Sequence, residues 1–302
     1  MATVGRLNFR GFVDDNAAPP AVEPTPQGRS DAHAYAYVSD RQTRNAFSHG
    51  RAVEYAVRHA VRLLRQVGKN ELLGSTIRVG PKQFPRIYEL TQHCAKTLNI
   101  QAPTVYIRNN PTLNAMTYGT NDDSFIIVHS ALIDHFTDDE LMSVIGHECG
   151  HIHNDHVVYL TTLHYLRVMA QRFVPIWLIQ PALYALSAWS RRAEITCDRA
   201  GMLCCNSLET STTALAKLAC GSTKLYDELN LDAFIEQYEE AQDGVGKLTE
   251  AAASHPWVPK RILALRKFAE SQLYRNHIGE GRDGLSMDEV DEAVHGIIKV
   301  VG

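Results

Sequence analysis

The spacing of apolar and polar residues divides the chain into segments of different character. Residues 14–30, DDNAAPPAVEPTPQGRS, are rich in Pro and Ala and offer little to bury, which predicts an extended arm or linker over 1–45. A helical period follows over 46–67, with Ala52, Ala56, Ala60, Val61 and Leu64 near one face. A second helix is predicted over about 83–98, ending before IQAP, where Pro103 favours extended backbone. Three short apolar runs come next: TVYI (104–107), NAMTYG (114–119) and FIIV (125–128). The turn-rich GTNDD between the last two predicts a small sheet containing a hairpin. Thr137 then reads as the N-cap of a long helix, with Glu140 completing a capping box. Asp138, Asp139 and Glu140 place negative charge at the positive end of its dipole. The remainder reads as mostly helical, ending in a polar tail with a short helix over 277–302. The expected class is α+β, mainly helical, with one domain over 46–276.

Composition narrows the function without naming it. The chain has 302 residues, 45% of them hydrophobic and 21% charged, as in an ordinary soluble globular protein. A net charge of −4 gives no basic footprint for nucleic acid. Cys94, Cys149, Cys197, Cys204, Cys205 and Cys220 form no dense framework and no CxxC pair. A reducing, cytoplasmic setting is expected, without a thiolate zinc site. The N-terminal MATVGRLNFRGF lacks the apolar core of a signal peptide.

The long helix carries SVIGHECGHIHNDH, Ser143 to His156. His147 and His151 are four apart, so their imidazoles project from one face and can share a tetrahedral Zn²⁺. Glu148 is offset by about 100° around the axis. It is badly placed as a ligand but can reach a water on the metal, as a general base would. Leu141, Ile145, Cys149, Ile152 and His156 fall on another stripe, expected to face the core. Cys149 then reads as a packed thiol, and His153 and His156 as structural or surface histidines pointing away from the metal face. Gly146 and Gly150 cost helix stability, which makes sense if another backbone packs closely there.

HExxH fixes only three of five positions, so a third ligand matters. In SRRAEITCDRAG, Ser190 to Gly201, Glu194 and Asp198 share a helix face. Glu194 can complete a His₂Glu set with an open fourth position, the arrangement of hydrolytic rather than structural zinc. Asp198, one turn on, can accept the free ring N–H of a ligand histidine. The alternative is a surface pair making ordinary helical ion pairs with Arg191, Arg192 and Arg199.

HECGH followed by EITCD resembles the HExxH…ExxxD signature of the HtpX-like and CAAX-prenyl-protease-like zinc metallopeptidases, which are gluzincins. NAMTYG, the run FIIVHSALIDHFTDDELMSVIGHE, and SHPWVPKRI (254–262) match further elements of that family in order, over roughly residues 70–275. The resemblance implies a zincin-like fold and one Zn²⁺ per chain on His147, His151 and Glu194. It gives Glu148 the role of base and acid, and places Asp198 behind a ligand. Asn114, Ala115, Met116, Thr117, Tyr118 and Gly119 would form an edge strand lining the cleft and pairing with an extended polypeptide substrate. His255 matches a position that helps stabilise an oxyanion, with a capping role before Pro256 as its alternative. Arg261 matches an arginine read as structural.

The chain departs from that family at 157–190. Residues 173–190 form an uncharged run of 18, the short limit for a spanning helix. His151 before it and Glu194 after it must reach one metal, so a single span is excluded. A second pass through 157–172 would bury Arg167 and Arg172 at a cost of about 2.5 to 3.5 kcal/mol each near a helix centre. A helical hairpin against the domain is therefore expected, with apolar surface left for a peripheral membrane or subunit contact. The expected function is a zinc metalloendopeptidase. Its rivals are a catalytically silent zinc-binding scaffold or chaperone-like protein, and a zinc hydrolase acting on something other than peptides.

Overall fold

The computed structural model describes residues 32, 34–47, 74–120, 123–172, 176–240 and 256–298. Residues 1–31, most of the helix expected over 46–67, and His255 lie outside these. The architecture is α+β, a small mixed sheet against a larger set of helices.

Four strands form the sheet: β1 (Thr76–Arg78), β2 (Thr104–Arg108), β3 (Ala115–Gly119) and β4 (Ser124–His129). Their order is β1-β2-β4-β3, so β3 is an edge. β2 and β4 run parallel, and β3 and β4 form the antiparallel hairpin with Thr117 opposite Ile126. β4 is buried on both faces, which explains its unbroken FIIV run. Ile126 and Val128 join the main core, while Phe125 and Ile127 pack with Tyr106, Met116 and Tyr118 on the other face.

Helices α1 (Val38–Phe47), α2 (Pro85–Thr97) and α3 (Ser130–His135) precede α4 (Asp138–His153). α4 opens with the Thr137–Glu140 capping box. Its Leu141, Ile145 and Cys149 enter the main core beside Cys94, Leu132 and Met202. α5 (Val157–Arg172) and α6 (Ile176–Cys205) follow, then α7 (Leu208–Cys220), a 3₁₀ turn (Thr223–Glu228), α8 (Leu231–Glu240), α9 (Val258–Ala269), α10 (Gln272–His277) and α11 (Met287–Ile298). α4 crosses α6 closely. A Cβ on Gly146 would stand 2.7 Å from Cys204 Cβ, and one on Gly150 2.7 Å from Ala200 Cβ. The two glycines expected to meet another backbone thus meet α6.

α5 and α6 pack against each other through Leu163, Leu166, Ala182, Leu186 and Trp189. Among the described residues, no helix is long and apolar enough to cross a membrane. Trp177 and Tyr184 on α6 are 71% and 73% exposed.

The boundary at residue 45 falls inside α1, and ordered packing begins before it. Tyr35 and Tyr37 are buried. The Tyr35 carbonyl accepts from Arg199, and the Val38 amide donates to Asp291 of α11 at 2.9 Å. Asp291 also accepts from Arg199 at 2.7 Å, while Val290 and Val294 of α11 are fully buried.

Candidate metal and hydrolytic site

α4 presents His147 and His151, and α6 presents Glu194, to one point. His147 Nε2 stands 3.6 Å from Glu194 Oε2, and His151 Nε2 stands 3.6 Å from Glu194 Oε1. The two imidazole centroids are 4.9 Å apart. Donors on a tetrahedral ion with bonds near 2.0–2.1 Å are separated by about 3.3 Å, so these three fit a zinc-sized cation. The remaining nitrogen of His147, Nδ1, lies 2.9 Å from Asp198 Oδ1, which fixes its tautomer and turns Nε2 toward Glu194.

Arg261 of α9 holds both carboxylates. Its Nε donates to Asp198 Oδ2 at 2.8 Å and its Nη2 to Oδ1 at 2.5 Å. Nη2 also stands 3.3 Å from Glu194 Oε2. Burial works to raise the Asp198 pKa, but Arg261 and then His147 more than offset it and hold the carboxyl below its ordinary range. For His147 burial acts downward, and the Asp198 hydrogen bond with the Glu194 charge overcomes it, leaving the ring above its usual range in the absence of a cation.

Glu148 is buried beneath the edge strand. Thr117 Oγ1 donates to Glu148 Oε2 at 2.5 Å and lies 3.3 Å from the Glu148 carbonyl. Strand alternation is the cause: Met116 and Tyr118 pack on one face of the sheet, and Thr117 points from the other toward α4. Asn114 immediately precedes β3 and is exposed, its carbonyl accepting from His129.

Cysteine 197 complicates the donor set, because His147, His151 and Cys197 also cluster closely enough to hold a metal. Cys197 Sγ, however, is 3.1 Å from His151 Nδ1, whereas Glu194 faces Nε2. The two ring nitrogens direct their lone pairs to opposite sides of an imidazole, so one ion cannot use Nε2 of His151 and share Cys197 on the Nδ1 side. Burial first, then Glu194 and Asp40, push the Cys197 thiol well above its usual range, so it remains S–H without a cation. The Nε2/Nε2/carboxylate set fits better.

The placement of His156 corrects the helical-wheel reading, which put it well away from His151. α4 ends at His153 with Asn154 as C-cap, and Asp155 takes a left-handed φ of 57°. The turn carries the His156 ring back to His151, with Nδ1 to Nδ1 at 3.2 Å. His153 does point away, to the Tyr35 hydroxyl at 2.9 Å. Cys149 is fully buried in the core.

Sequence reasoning did not single out Thr117 from its strand, and it missed Asp40 altogether. The signal for Thr117 was available: it is the polar side chain flanked by Met116 and Tyr118. Asp40 lies in a polar segment, VSDRQTRNAF, with nothing to mark it.

Residues 81–269 match the family model described as peptidase family M48. The chain is 32% identical over 226 residues to a plastoglobule-localized metallopeptidase 48 of Arabidopsis thaliana chloroplasts, a match covering 71% of this chain and 65% of that relative's length. It is 22% identical over 225 residues to a protease HtpX homolog of Moorella thermoacetica, covering 64% of this chain and 75% of the relative. It is 28% identical over 215 residues to protease HtpX of Vibrio vulnificus, covering 60% and 72%. No solved structure matches the chain significantly.

Proposed function

We propose, from the premise that this chain belongs to peptidase family M48, that it is a zinc-dependent metalloendopeptidase acting on extended polypeptide segments. The observation that carries the reading is the convergence of His147 Nε2, His151 Nε2 and Glu194, both nitrogens 3.6 Å from the carboxylate, with Glu148 one residue from the first ligand. Zinc held there would supply Lewis acidity to a scissile carbonyl and lower the pKa of water.

The chain's own groups do the rest. Glu148 takes a proton from the attacking water and returns it to the leaving amine. Thr117 donates to its Oε2 and so fixes the orientation of the carboxylate. Asp198 keeps the proton of His147 on Nδ1, and Arg261 keeps Asp198 ionised and fixed. β3, an edge strand beside Glu148, offers the ladder on which a substrate backbone can add. His255, outside the described residues, is proposed as an oxyanion contact contributed from the segment before α9.

A second reading, a silent zinc-binding scaffold, draws on the proximity of Cys197. One experiment separates the two. The wild-type protein is expected to carry about one zinc per chain and to cleave an unfolded protein. His147→Ala should lose the metal, and Glu148→Gln should keep metal and fold but lose turnover. Full zinc in His147→Ala defeats the ligand assignment, and undiminished cleavage by Glu148→Gln removes Glu148 from the chemistry.

A further inference from the structure

We propose that Asp40, acting through His156, positions the metal ligand His151, so that docking of α1 sets the affinity of the site for zinc. The inference rests on the reading of His151 as a ligand through Nε2. His147 has a carboxylate on its second nitrogen; His151 has another imidazole instead.

Three buried groups stand in line. His151 Nδ1 faces His156 Nδ1 at 3.2 Å, and His156 Nε2 faces Asp40 Oδ2 at 3.0 Å. Both Asp40 and His156 are 1% exposed, so water does not compete for these contacts. The protons are then fixed from both ends. A ring that ligates through Nε2 carries its hydrogen on Nδ1. His151 therefore donates to His156 Nδ1, which must be bare. The hydrogen of His156 sits on Nε2 and is donated to Asp40. The Asp40 charge thus reaches His151 through a neutral imidazole and makes it a better donor to a cation, as a directly bonded carboxylate would.

Asp40 is built for accepting only. Trp189 Nε1 donates to Oδ1 at 2.8 Å, and Thr196 Oγ1 donates to Oδ2 at 2.6 Å. The Thr196 hydroxyl itself accepts from the Tyr37 amide at 3.1 Å. Among the described residues, every contact made by either oxygen is to a donor, so an amide at position 40 must turn its NH₂ against one of them. α1 is also tied to the turn that places His156, since Arg44 donates to the Asn154 carbonyl and lies 3.7 Å from Asp155. Cys197 Sγ, at 3.1 Å from His151 Nδ1 and 3.6 Å from His156 Nδ1, is a weaker acceptor than an imidazole lone pair and flanks the line without replacing His156 in it.

The test is zinc affinity of the full chain, measured by competition with a chromogenic chelator. Asp40→Asn and His156→Leu should each weaken binding by about 10- to 100-fold, the range seen when a group behind a ligand is lost. Trp189→Phe, which removes one donor to Asp40 but leaves the Asp40–His156 contact, should keep wild-type affinity even where it lowers thermal stability. Wild-type affinity in folded Asp40→Asn and His156→Leu overturns the proposal, and so does an equal loss in Trp189→Phe. His151→Ala separates the two levels: if that variant keeps zinc, the ligand reading has failed, whereas its loss of zinc beside unchanged Asp40→Asn condemns the relay alone. Should a variant not fold, histidine ¹H–¹⁵N spectra of the zinc-loaded wild type decide. A hydrogen on His151 Nδ1 and on His156 Nε2 is expected. A hydrogen on His156 Nδ1, or a second zinc bound between these rings and Cys197, overturns it.

Discussion

Arg261 bears on two carboxylates at once, and its removal is the most informative single change outside His147, His151 and Glu194. Arg261→Met fills similar space and leaves Glu194 and Asp198 buried beside each other uncompensated. The metal-free protein should lose about 3–5 kcal/mol, and saturating zinc should restore part of this by supplying the missing positive charge; urea unfolding with and without zinc measures both. The pH dependence follows the same contact. The Asp198 carboxyl is held below its ordinary value of 3.8, so its contribution is present above that value and is lost as pH falls through the lower folded pKa. The unfolding midpoint of the metal-free wild type should drop on acidification below about pH 4, and less steeply in Asp198→Asn. Thr117→Val, nearly equal in volume, should lower kcat while leaving zinc content and KM close to wild type. A parallel loss of zinc would show that Thr117 acts on the ligands rather than on Glu148.

At the scale of elements, the crossing of α4 and α6 brings His147 and His151 to Glu194. Gly150→Ala would put a methyl group 2.7 Å from Ala200 Cβ, with backbone rather than a flexible chain end behind it. Overpacking of this kind costs about 1–3 kcal/mol. The helices should part, Glu194 should retreat from both imidazoles, and zinc affinity should fall although no ligand has changed. Chelator competition beside a thermal melt tests it. The start of α4 was readable because a capping box is a local signal, and the hairpin of β3 and β4 was readable because two apolar runs flank a turn-rich stretch. The end of α4 was not. A helical wheel continued through Asn154 and Asp155 puts His156 on the core stripe. Both residue types tolerate left-handed backbone, and the chain reverses there. For Thr117 the polar position was visible but its partner was not: a strand pattern says which face a side chain takes, not which helix waits on that face.

For the whole molecule, contacts distant in sequence are the ones that sequence cannot display. Asp40 reaches His156 and Thr196 across more than a hundred residues, and no period or spacing announces that. α11 likewise reads as part of a polar tail, yet Val290 and Val294 are fully buried and Asp291 receives Arg199. The hairpin of α5 and α6 was legible in outline because His151 before it and Glu194 after it, read as sharing one metal, forbid a single crossing. Its exposed Trp177 and Tyr184 suit a surface contact, so an alkaline wash is expected to release the protein from any membrane fraction that retains it. Persistence in the bilayer after that wash would refute a peripheral arrangement.

The Arg199–Asp291 contact has a consequence in time as well as in space. Asp291 anchors the Val38 amide as well as the arginine, and Val38 begins the helix that carries Asp40. During translation the HExxH segment leaves the ribosome well before α11 does. Until α11 emerges, α1 lacks one of its anchors, and the line from Asp40 to His151 is not fully held. A nascent chain stalled before Met287 should therefore capture zinc more weakly than the released protein. Synthesis itself would then delay full zinc capture until α11 has left the ribosome.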